Sequence, residues 1–533
     1  MRTAYRVETV RAAEAELMAR LPEGTLMRRA AAGLAAACRG LLPRVYGARV
    51  VLLVGSGDNG GDALYAGALL ARRGAGVTAV PLAARAHEGG LAALRAAGGR
   101  VVGPHEDPYE ALAAADLVLD GITGIGGRGG LRPDAVPVAR AARGSDAVVV
   151  AVDLPSGVDA DTGEVPGEAL RADATVAFGA YKPGLLIDPA REYAGALRLV
   201  DIGLDATLPS VPDLEALQHE DLARLLPVPG AESDKYRRGV VGVVAGSARY
   251  PGAAVLAVEG ALRGGAGAVR YVGPAGPAVI AARPETLVHA GPPSRAGRVQ
   301  AWVVGPGIGE GAGDGPDAYA AEGPAGAGAP GSGAYPDGSG GAGGTAPGSA
   351  PYPVAPGRPA AVSPHPLVAE VLAADVPVLV DADGLRGLCP DAVRARGAAT
   401  VLTPHAGEAA ALLGVERGVV EAGRLAAVRA LAERFGATVL LKGSTTLVCG
   451  PGGTGPVRVN PTGTSWLATA GSGDVLSGLA GSLLAAGLAP VDAASAAAYL
   501  HGLAARRAAR GAPVAAGDVA AALPGAWRDV TGG

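Results

Sequence analysis

The fold of the first half of the chain is decided by the stretch Val50-Val51-Leu52-Leu53-Val54-Gly55-Ser56-Gly57-Asp58-Asn59-Gly60-Gly61-Asp62. An apolar run leads into a glycine turn, and an Ala/Leu-rich helical stretch at 63–73 follows. This order predicts a buried strand, a tight turn and a helix start, where backbone N–H groups can approach a phosphate closely. A lone glycine turn also occurs in ordinary α/β proteins. Asn59 and Asp62 favour ligand binding, because a turn does not require them.

The same order of apolar run, glycine turn and Ala/Leu-rich stretch recurs along the 533-residue chain. Continuous apolar strands that alternate with helices predict parallel α/β sheets covered on both faces. The clearest strand candidates are Arg49–Val54, Leu117–Asp120, Val148–Asp153, Ala174–Phe178, Val240–Ala245, Ala301–Val304, Val376–Val380, Thr400–Leu402 and Val439–Leu441.

The strand candidates form two units, which we expect to be domains covering residues 1–206 and 235–530. The intervening segment 207–234 is punctuated by prolines, which is typical of a linker or docking segment. Within the second unit, residues 310–357 contain no Leu, Ile, Met, Phe, Trp, Lys or Arg. Such a segment cannot bury enough apolar area to offset its ordering entropy, so we predict a disordered Gly/Pro/Ala/Ser-rich surface insertion.

The composition argues against several classes of protein. A net charge of −4 and a pI of about 6.0 give no basic footprint for nucleic acid. The three cysteines (Cys38, Cys389 and Cys449) are widely separated, so neither a disulfide framework nor a zinc site is expected. The apolar stretch 475–503 is interrupted by Pro490 and Asp492, and it predicts one or two buried helices without a membrane span. We therefore expect a cytoplasmic protein with no membrane partner.

Polar side chains follow the strand candidates of the first half. Asn59 lies in the glycine turn, Asp120 and Asp153 end two strands, and Ser156 follows shortly after. Because the carboxyl ends of parallel strands meet at the ligand crevice, we expect these four side chains to converge. Hard oxygen ligands of this kind suit an alkali or alkaline-earth cation. Each aspartate could equally cap a helix, so both interpretations stay open.

Three motifs of the first half, in this order, resemble the NAD(P)H-hydrate epimerase family: Gly-x-Gly-Asp-Asn-Gly-Gly-Asp at 55–62, Asp-x-x-x-Gly-x-Gly at 120–126 and Val-Asp-Leu-Pro-Ser-Gly-Val-Asp-Ala-Asp-Thr-Gly at 152–163. The resemblance covers residues 1–205 and implies a Rossmann-like three-layer domain. It implies a catalytic contact by Asp153 and a potassium ion held by Asn59, Asp120 and Ser156. It also implies that a hydrated dinucleotide contacts Asp58, Asn59, Gly60, Gly61, Asp62, Gly124, Ile125, Gly126, Gly127, Arg128, Gly129, Gly130 and Asp153.

A second glycine-rich turn, Gly471-Ser472-Gly473-Asp474, precedes a long Ala/Leu-rich helix. Backbone donors at that helix start can bind a phosphoryl group during its transfer. Asp474 is placed to take a proton from an attacking hydroxyl, although a first-turn acid can also simply stabilise a helix. Further strand-end motifs are Tyr250-Pro251-Gly252-Ala253-Ala254, Gly305-Pro306-Gly307-Ile308-Gly309, Asp381-Ala382-Asp383, Thr403-Pro404-His405-Ala406-Gly407-Glu408 and Lys442-Gly443-Ser444-Thr445-Thr446.

Together these motifs resemble the ribokinase-like superfamily and, more narrowly, the ADP-dependent NAD(P)H-hydrate dehydratase family. The resemblance spans 235–530 apart from the insertion, and it implies a ribokinase-like α/β domain. It implies that Ala253, Gly309, His405 and Asp474 contact the hydrate, although His405 could equally have a structural hydrogen-bonding role. It further implies that ADP, with Mg²⁺ bridging its phosphates, contacts Lys442, Gly443, Ser444, Thr445, Thr446 and Gly473.

The resemblances predict a bifunctional enzyme that epimerises R and S hydrates of NADH and NADPH and then dehydrates the S epimer with ADP. Its partners would be these small molecules, and the sequence leaves a homo-oligomer open. Two alternatives remain, since a fold alone does not set a function. One is a small-molecule kinase that uses ATP and releases a stable phosphate ester. The other is a non-catalytic binding module in the first half.

Overall fold

The structure, a computed structural model, describes residues 1–103, 105–309 and 363–532. It confirms the predicted α/β class with parallel sheets. The predicted insertion at 310–357 lies outside the described residues. Among the described helices, none combines the length and the apolar character that crossing a membrane requires.

The first half is built on a seven-stranded sheet in which all neighbouring strands are parallel. Its strand order is β4-β3-β2-β5-β6-β7-β8, so the order reverses between β2 and β5. Ligands of open α/β sheets bind outside the carboxyl ends of the strands at such a reversal. The strands are β2 (Arg49–Val54), β3 (Gly76–Pro81), β4 (Arg100–Val101), β5 (Leu117–Gly121), β6 (Val148–Val152), β7 (Ala174–Phe178) and β8 (Ala196–Val200).

The second half is built on an eleven-stranded sheet with the order β1-β9-β18-β17-β16-β15-β14-β13-β10-β11-β12. Its order reverses between β10 and β13. The neighbouring strands β16, β15, β14, β13, β10, β11 and β12 are all parallel to one another. The strands are β1 (Arg2–Ala4), β9 (Leu214–Ala216), β10 (Val240–Val244), β11 (Ala268–Val272), β12 (Leu287–His289), β13 (Ala301–Val304), β14 (Val378–Val380), β15 (Thr400–Leu402), β16 (Thr438–Leu441), β17 (Thr446–Cys449) and β18 (Val457–Asn460).

Helices cover the sheets and follow most of the strands. The stretch 475–503, expected to be one or two buried helices, lies in two helices, α16 and α17, that are largely buried. The helices are α1 (Val7–Met18), α2 (Thr25–Leu41), α3 (Asp58–Ala71), α4 (Glu88–Ala96), α5 (Tyr109–Ala113), α6 (Val136–Gly144), α7 (Arg191–Ala194), α8 (His219–Leu225), α9 (Pro251–Arg263), α10 (Gly276–Ala282), α11 (Pro366–Leu372), α12 (Pro390–Arg394), α13 (Ala406–Leu413), α14 (Arg417–Ala422), α15 (Arg424–Phe435), α16 (Ser472–Ala485), α17 (Pro490–Ala509) and α18 (Ala516–Thr531).

The two halves are joined by more than a linker. Strand β1, from the start of the chain, pairs antiparallel with β9 and so belongs to the sheet of the second half. Strand β9 and helix α8 both lie within the segment 207–234, which contributes structure to the second half. One apolar cluster contains buried side chains of both halves, among them Ile187 and Leu441. The domain division stays a prediction, and the eleven-stranded sheet crosses its predicted boundaries.

Candidate active sites

The first candidate site is a cavity of about 620 Å³ at the reversal of the seven-stranded sheet. Of the predicted substrate contacts, Asp58, Asn59, Asp62, Gly124–Gly127 and Asp153 line it. The remaining predicted contacts (Gly60, Gly61, Arg128, Gly129 and Gly130) are not among the lining residues. Helix α1 contributes Arg11 and Glu14 to the cavity, and no sequence motif had identified them.

Two glycines of the stretch 50–62 allow backbone segments to pack closely. A Cβ on Gly55 would lie 1.8 Å from the carbonyl oxygen of Ile122, so only glycine allows the turn after β2 to approach the turn after β5. A Cβ on Gly60 would lie 2.4 Å from the carbonyl oxygen of Gly55. These close approaches bring the two turns that carry Asn59 and Gly124 together at the cavity floor.

Asp153 is held in an unusual conformation at the end of β6. Its backbone has a φ of 64°, in the left-handed region that residues other than glycine seldom adopt and that is enriched at functional sites. Its Oδ1 accepts a hydrogen bond of 3.0 Å from the backbone N–H of Phe178 and forms a salt bridge with Lys182 Nζ. Lys182 is 1% exposed. The pair is therefore a buried ammonium and carboxylate, and of the two Asp153 lines the cavity.

Two further carboxyl groups of the cavity have raised pKa values. Burial raises the pKa of Asp62 well above its ordinary value, and the negative charges of Asp153, Asp58 and Glu14 add to this effect. Burial also raises the pKa of Glu14, against the opposing charge of Lys182. Within the described residues, Asp62 Oδ1 has no hydrogen-bond partner. This side of the cavity can therefore hold protons close to Asp153.

The three residues predicted to bind potassium converge as expected from the strand ends. Ser156 Oγ donates to Asp120 Oδ1 at 2.6 Å, and Ser156 N–H donates to Asp120 Oδ2 at 2.8 Å. Asn59 Nδ2 donates to the carbonyl oxygens of Thr123 and Val152. Burial raises the pKa of Asp120 to about 6, while its hydrogen bonds from Ser156 oppose the shift. The result is a buried group of mostly neutral oxygen atoms around one carboxyl group.

The second candidate site lies at the start of α16, where Lys442 follows β16. A Cβ on Gly473 would be 3.5 Å from Lys442 Nζ, so the ammonium lies beside the helix N-terminus. Lys442 Nζ is 2.7 Å from Asp381 Oδ1 and 3.7 Å from Glu408 Oε2. Ser477 Oγ donates to Asp381 Oδ2 at 2.6 Å. Asp381 thus holds the Lys442 ammonium beside the N-terminus of α16, where an anion would bind favourably.

Asp474 lies in the first turn of α16, close to this cluster. Burial and the charges of Asp381 and Asp383 raise the pKa of Asp474 to about 7, against the opposing charge of Lys442. A carboxylate with such a pKa can accept a proton near neutral pH, which an ordinary aspartate does poorly.

The other predicted hydrate contacts are near this cluster. A Cβ on Gly307 would be 2.7 Å from Ala253 Cβ, and the backbone N–H of Gly309 donates to Asp383 Oδ2 at 3.1 Å. His405 caps α13, because its Nδ1 accepts a hydrogen bond of 3.1 Å from the N–H of Glu408. Its side chain is 59% exposed and also lines the adjacent cavity. His405 therefore has the structural role considered in the sequence analysis and remains available to a ligand.

A cavity of about 780 Å³ adjoins the start of α16. The predicted nucleotide contacts Lys442, Gly443, Ser444, Thr446 and Gly473 line it. Thr445, by contrast, is fully buried and is not among the lining residues, because its hydroxyl accepts a hydrogen bond from the backbone N–H of another segment.

Three residues that the sequence analysis did not assign also belong to this cavity or its rim. His501 and Arg424 line it, and Asp381 fixes the position of Lys442. Burial lowers the pKa of His501 to about 4, so its imidazole is neutral at physiological pH. Asp381 could have been found from its place at a strand end. His501 and Arg424 lie inside helical stretches, and no local motif marks them.

Two family models, one for each half, agree with the resemblances. Residues 23–184 match the family described as YjeF-related protein N-terminus. Residues 241–314 and 354–523 match the family described as NAD(P)H-hydrate dehydratase. Among solved structures, an ADP/ATP-dependent NAD(P)H-hydrate dehydratase from Bacillus subtilis, co-crystallized with ATP and Mg²⁺, aligns with 60% of this chain and 99% of its own at 24% identity and a TM-score of 0.46.

Relatives in two mycobacteria extend over nearly the whole chain. A bifunctional NAD(P)H-hydrate repair enzyme Nnr of Mycobacterium leprae (strain TN) is 47% identical over 512 residues, which are 95% of this chain and 94% of that protein. The enzyme of the same name from Mycobacterium tuberculosis (strain ATCC 25618 / H37Rv) is 46% identical over 502 residues, which are 93% and 92% of the two chains. The chain therefore belongs to the family of bifunctional NAD(P)H-hydrate repair enzymes.

Proposed function

We propose that this chain repairs hydrated NADH and NADPH in two consecutive steps. The first half interconverts the R and S epimers of the hydrate. The second half dehydrates the S epimer with ADP, which yields NAD(P)H, AMP and phosphate. The family membership supports this proposal. The main observation for the dehydration chemistry is that Asp474, beside Lys442 at the start of α16, has a pKa raised to about 7. A cytoplasmic location, predicted from the cysteines, suits these substrates.

The dehydration begins with activation of the hydroxyl on the hydrated ring. Asp474 takes the hydroxyl proton, the oxygen attacks the terminal phosphorus of ADP, and the bond between that phosphorus and the AMP oxygen breaks. The ring now carries a phosphate ester, which leaves more readily than hydroxide. Its carbon–oxygen bond then breaks as the neighbouring ring carbon loses a proton to the departing phosphate. The double bond of NAD(P)H forms, and inorganic phosphate is released.

The start of α16 and Lys442 stabilise the charge that moves during phosphoryl transfer. The N-terminus of α16 favours an anion, and the Lys442 ammonium lies beside Gly473 in its first turn. Burial lowers the pKa of Lys442, but the carboxylates of Asp381 and Glu408 more than reverse this effect, so Lys442 remains charged. Asp381 thus keeps a cation at the point where negative charge develops.

The carboxyl groups near Asp474 fit a magnesium ion that is held mainly by the nucleotide. Among the described residues, no group of three or more His, Cys, Asp or Glu side chains comes together as a metal site. Mg²⁺ commonly takes one or two carboxylates, several waters and substrate phosphates. Asp383 would supply a carboxylate, and the ion would neutralise the phosphates of ADP.

In the first half, inversion of the hydroxyl-bearing carbon requires a bond to break and re-form with movement of a proton. Asp153 lines the cavity and forms a buried salt bridge with Lys182, and this pair can give and receive that proton. Asp62 and Glu14 can hold protons nearby, because burial raises the pKa of both. The turn backbones at 56–59 and 122–127 would enclose the dinucleotide.

The oxygen atoms around Asp120 fit an alkali cation such as potassium. Asp120 and Ser156 are fully buried and hydrogen-bonded to each other, and the carbonyl oxygen of Thr123 accepts from Asn59 beside them. One carboxyl group among neutral oxygens suits a monovalent ion. A potassium ion held by Asn59, Asp120 and Ser156 would supply positive charge at the cavity floor.

Separately purified R and S epimers test the proposal when each is incubated with ADP, with ATP or without nucleotide. We expect the S epimer and ADP to restore the absorbance of reduced nicotinamide with release of AMP. Without nucleotide, chromatography should show the epimers interconverting faster than in buffer. A stable phosphate ester formed from ATP, with no recovered NAD(P)H, would support the kinase alternative. Interconversion at the buffer rate would support a non-catalytic first half.

The pKa of Asp474 predicts how dehydration depends on pH. Its carboxyl group is mostly protonated below a pKa of about 7, and only the ionised form can accept the hydroxyl proton. We expect kcat/KM for dehydration to rise about tenfold per pH unit below about pH 7 and to level off above it. A pH profile of initial rates with the S epimer measures this. A flat profile from about pH 5 to 8 would contradict the assigned role.

Deletion of residues 310–357 is expected to leave both activities and the melting temperature nearly unchanged. The segment lacks the side chains that build a core. It follows directly after Gly309, whose N–H contacts Asp383, so the deletion also tests whether this substrate loop depends on it. Epimerase and dehydratase rates of the shortened chain measure the effect. A large loss of dehydration would assign the segment a structural role.

A further inference from the structure

The nucleotide cavity of the second half has a wall contributed by the first half. Asp188, Pro189 and Glu192 line the cavity together with the loop 442–446. The backbone N–H of Asp188 donates to Thr445 Oγ1 at 3.2 Å, which fixes this segment against the loop. The preceding residue, Ile187, is fully buried. The first half therefore reaches the place where the nucleotide is proposed to bind.

The Asp188 carboxylate has no hydrogen-bond donor in the described part of the chain. The residue is only 5% exposed, and neither Oδ1 nor Oδ2 has a hydrogen-bond partner within residues 1–103, 105–309 and 363–532. A buried polar group without a partner is costly, and a buried charge is costlier still. Because Asp188 lines the cavity, a ligand with hydrogen-bond donors would remove this cost.

Arg424 presents the complementary group in the same cavity. Its guanidinium donates to the carbonyl oxygens of Lys442 at 3.2 Å and Thr445 at 2.8 Å, which holds the loop in place. In the described part of the chain its Nε–H has no partner. Arg424 and Asp188 both form hydrogen bonds with Thr445, which places them on the same part of the cavity wall. Burial lowers the pKa of Arg424, and the charge of Asp188 acts in the opposite direction. The unpaired donor Arg424 Nε–H thus lies in the same cavity wall as the unpaired acceptors of Asp188.

The chemistry of these two groups selects the part of a nucleotide that fits them. A phosphate only accepts hydrogen bonds and would be repelled by the Asp188 carboxylate. An amino group of a base only donates, so it would leave Arg424 Nε–H unpaired. A hydroxyl donates and accepts at once and can satisfy both residues. Ribose supplies such hydroxyls, and an acidic side chain is a common partner of ribose hydroxyls in nucleotide sites.

We propose that Asp188 of the first half binds the ribose of the nucleotide used by the second half, with Arg424 Nε–H as the second contact. The inference rests on the proposed function, because it requires the cavity to hold ADP. It makes the nucleotide site a joint structure of both halves. The phosphates then lie toward Lys442 and Gly473, and the ribose lies at the wall formed by the first half.

Calorimetric titration of the full chain with Mg²⁺ and ADP, 2′-deoxy-ADP or 3′-deoxy-ADP tests this. The wild type should bind at least one deoxy analogue about 10- to 100-fold more weakly than ADP. Asp188→Ala should bind ADP more weakly by the same order and should no longer distinguish it from that analogue. Asp205→Ala, which removes an exposed carboxylate of the first half away from the cavity, should match the wild type.

Melting temperatures separate loss of folding from loss of the contact. If Asp188→Ala fails to fold, Asp188→Asn provides the same comparison with a smaller loss of discrimination. An unchanged ratio of ADP to deoxy-ADP affinity in a folded Asp188 variant would overturn the inference while the proposed function stands. IDP, which lacks the amino group of the base, tests the alternative contact. If an Asp188 variant no longer distinguishes ADP from IDP, Asp188 contacts the base and the ribose assignment is overturned. A wild type that does not bind ADP would overturn the proposed function and this inference with it.

Discussion

Replacing Asp474 by Asn is expected to lower the rate of ADP-dependent dehydration of the S epimer by about 10²–10⁴-fold. The substitution preserves the size of the side chain but removes the group that accepts the hydroxyl proton. ADP should still bind, because the backbone N–H groups at the start of α16 and the Lys442 ammonium are unchanged. Single-turnover rates at saturating ADP measure the loss, and calorimetry measures the retained affinity.

Asp518 provides a matched control for the simpler role of Asp474 in stabilising a helix. It lies in the first turn of α18, is exposed, and its Oδ2 accepts a hydrogen bond of 2.9 Å from the N–H of Ala515. Asp518→Asn should lower stability by about 1 kcal/mol or less without changing either activity. If Asp474→Asn, like this control, dehydrated the S epimer at a near-normal rate, Asp474 would not be the base that activates the ring hydroxyl.

The strands that lie in the centre of the sheets could be located from the sequence. The strands β2, β7, β13 and β15 begin and end at the predicted residues. Strands buried on both faces are continuous apolar runs, so their ends coincide with the first polar or glycine residue. That same change places Asp120, Asp153 and Asp381 at strand ends. The convergence of Asn59, Asp120 and Ser156 could therefore be predicted from the sequence alone.

The contacts between the two halves could not be predicted in this way. Strands β1 and β9 have three residues each, which is too short for a periodic pattern, and their pairing joins segments more than 200 residues apart. Glu14 reaches the first cavity from a helix that no strand-end motif marks. Asp188 acquires its significance only because Thr445 fixes its backbone beside the nucleotide loop.

The predicted nucleotide loop places four of its five residues at the cavity and buries the fifth. The five residues 442–446 were expected to contact the nucleotide as a group. In the structure Thr445 is buried beneath the loop, while its neighbours Ser444 and Thr446 line the cavity. Side chains in a short loop can face opposite directions, and the partner that draws Thr445 inward comes from the first half.

Replacing Asp153 by Asn is expected to stop repair of an equal mixture of the two epimers at about half of the substrate, even with excess ADP. The variant should lose epimerisation, because the buried pair with Lys182 no longer moves a proton, whereas the second half still consumes the S epimer. The remaining half should then disappear only at the slow spontaneous rate of epimerisation. Recovery of reduced-nicotinamide absorbance over time measures this, with chromatography to identify the residual epimer.

Loss of stability has to be separated from loss of chemistry in this variant. Asp153→Asn leaves the Lys182 ammonium buried without its partner carboxylate, which typically costs roughly 3–5 kcal/mol. The double variant Asp153→Asn/Lys182→Met removes the stranded charge with a side chain of similar length, so it should regain much of the melting temperature. If Asp153 acts in catalysis, this stabilised double variant should still stop at half of the substrate. Complete and rapid repair by either variant would remove Asp153 from the catalytic residues, because the proton would then have to move through another group such as Asp62 or Glu14.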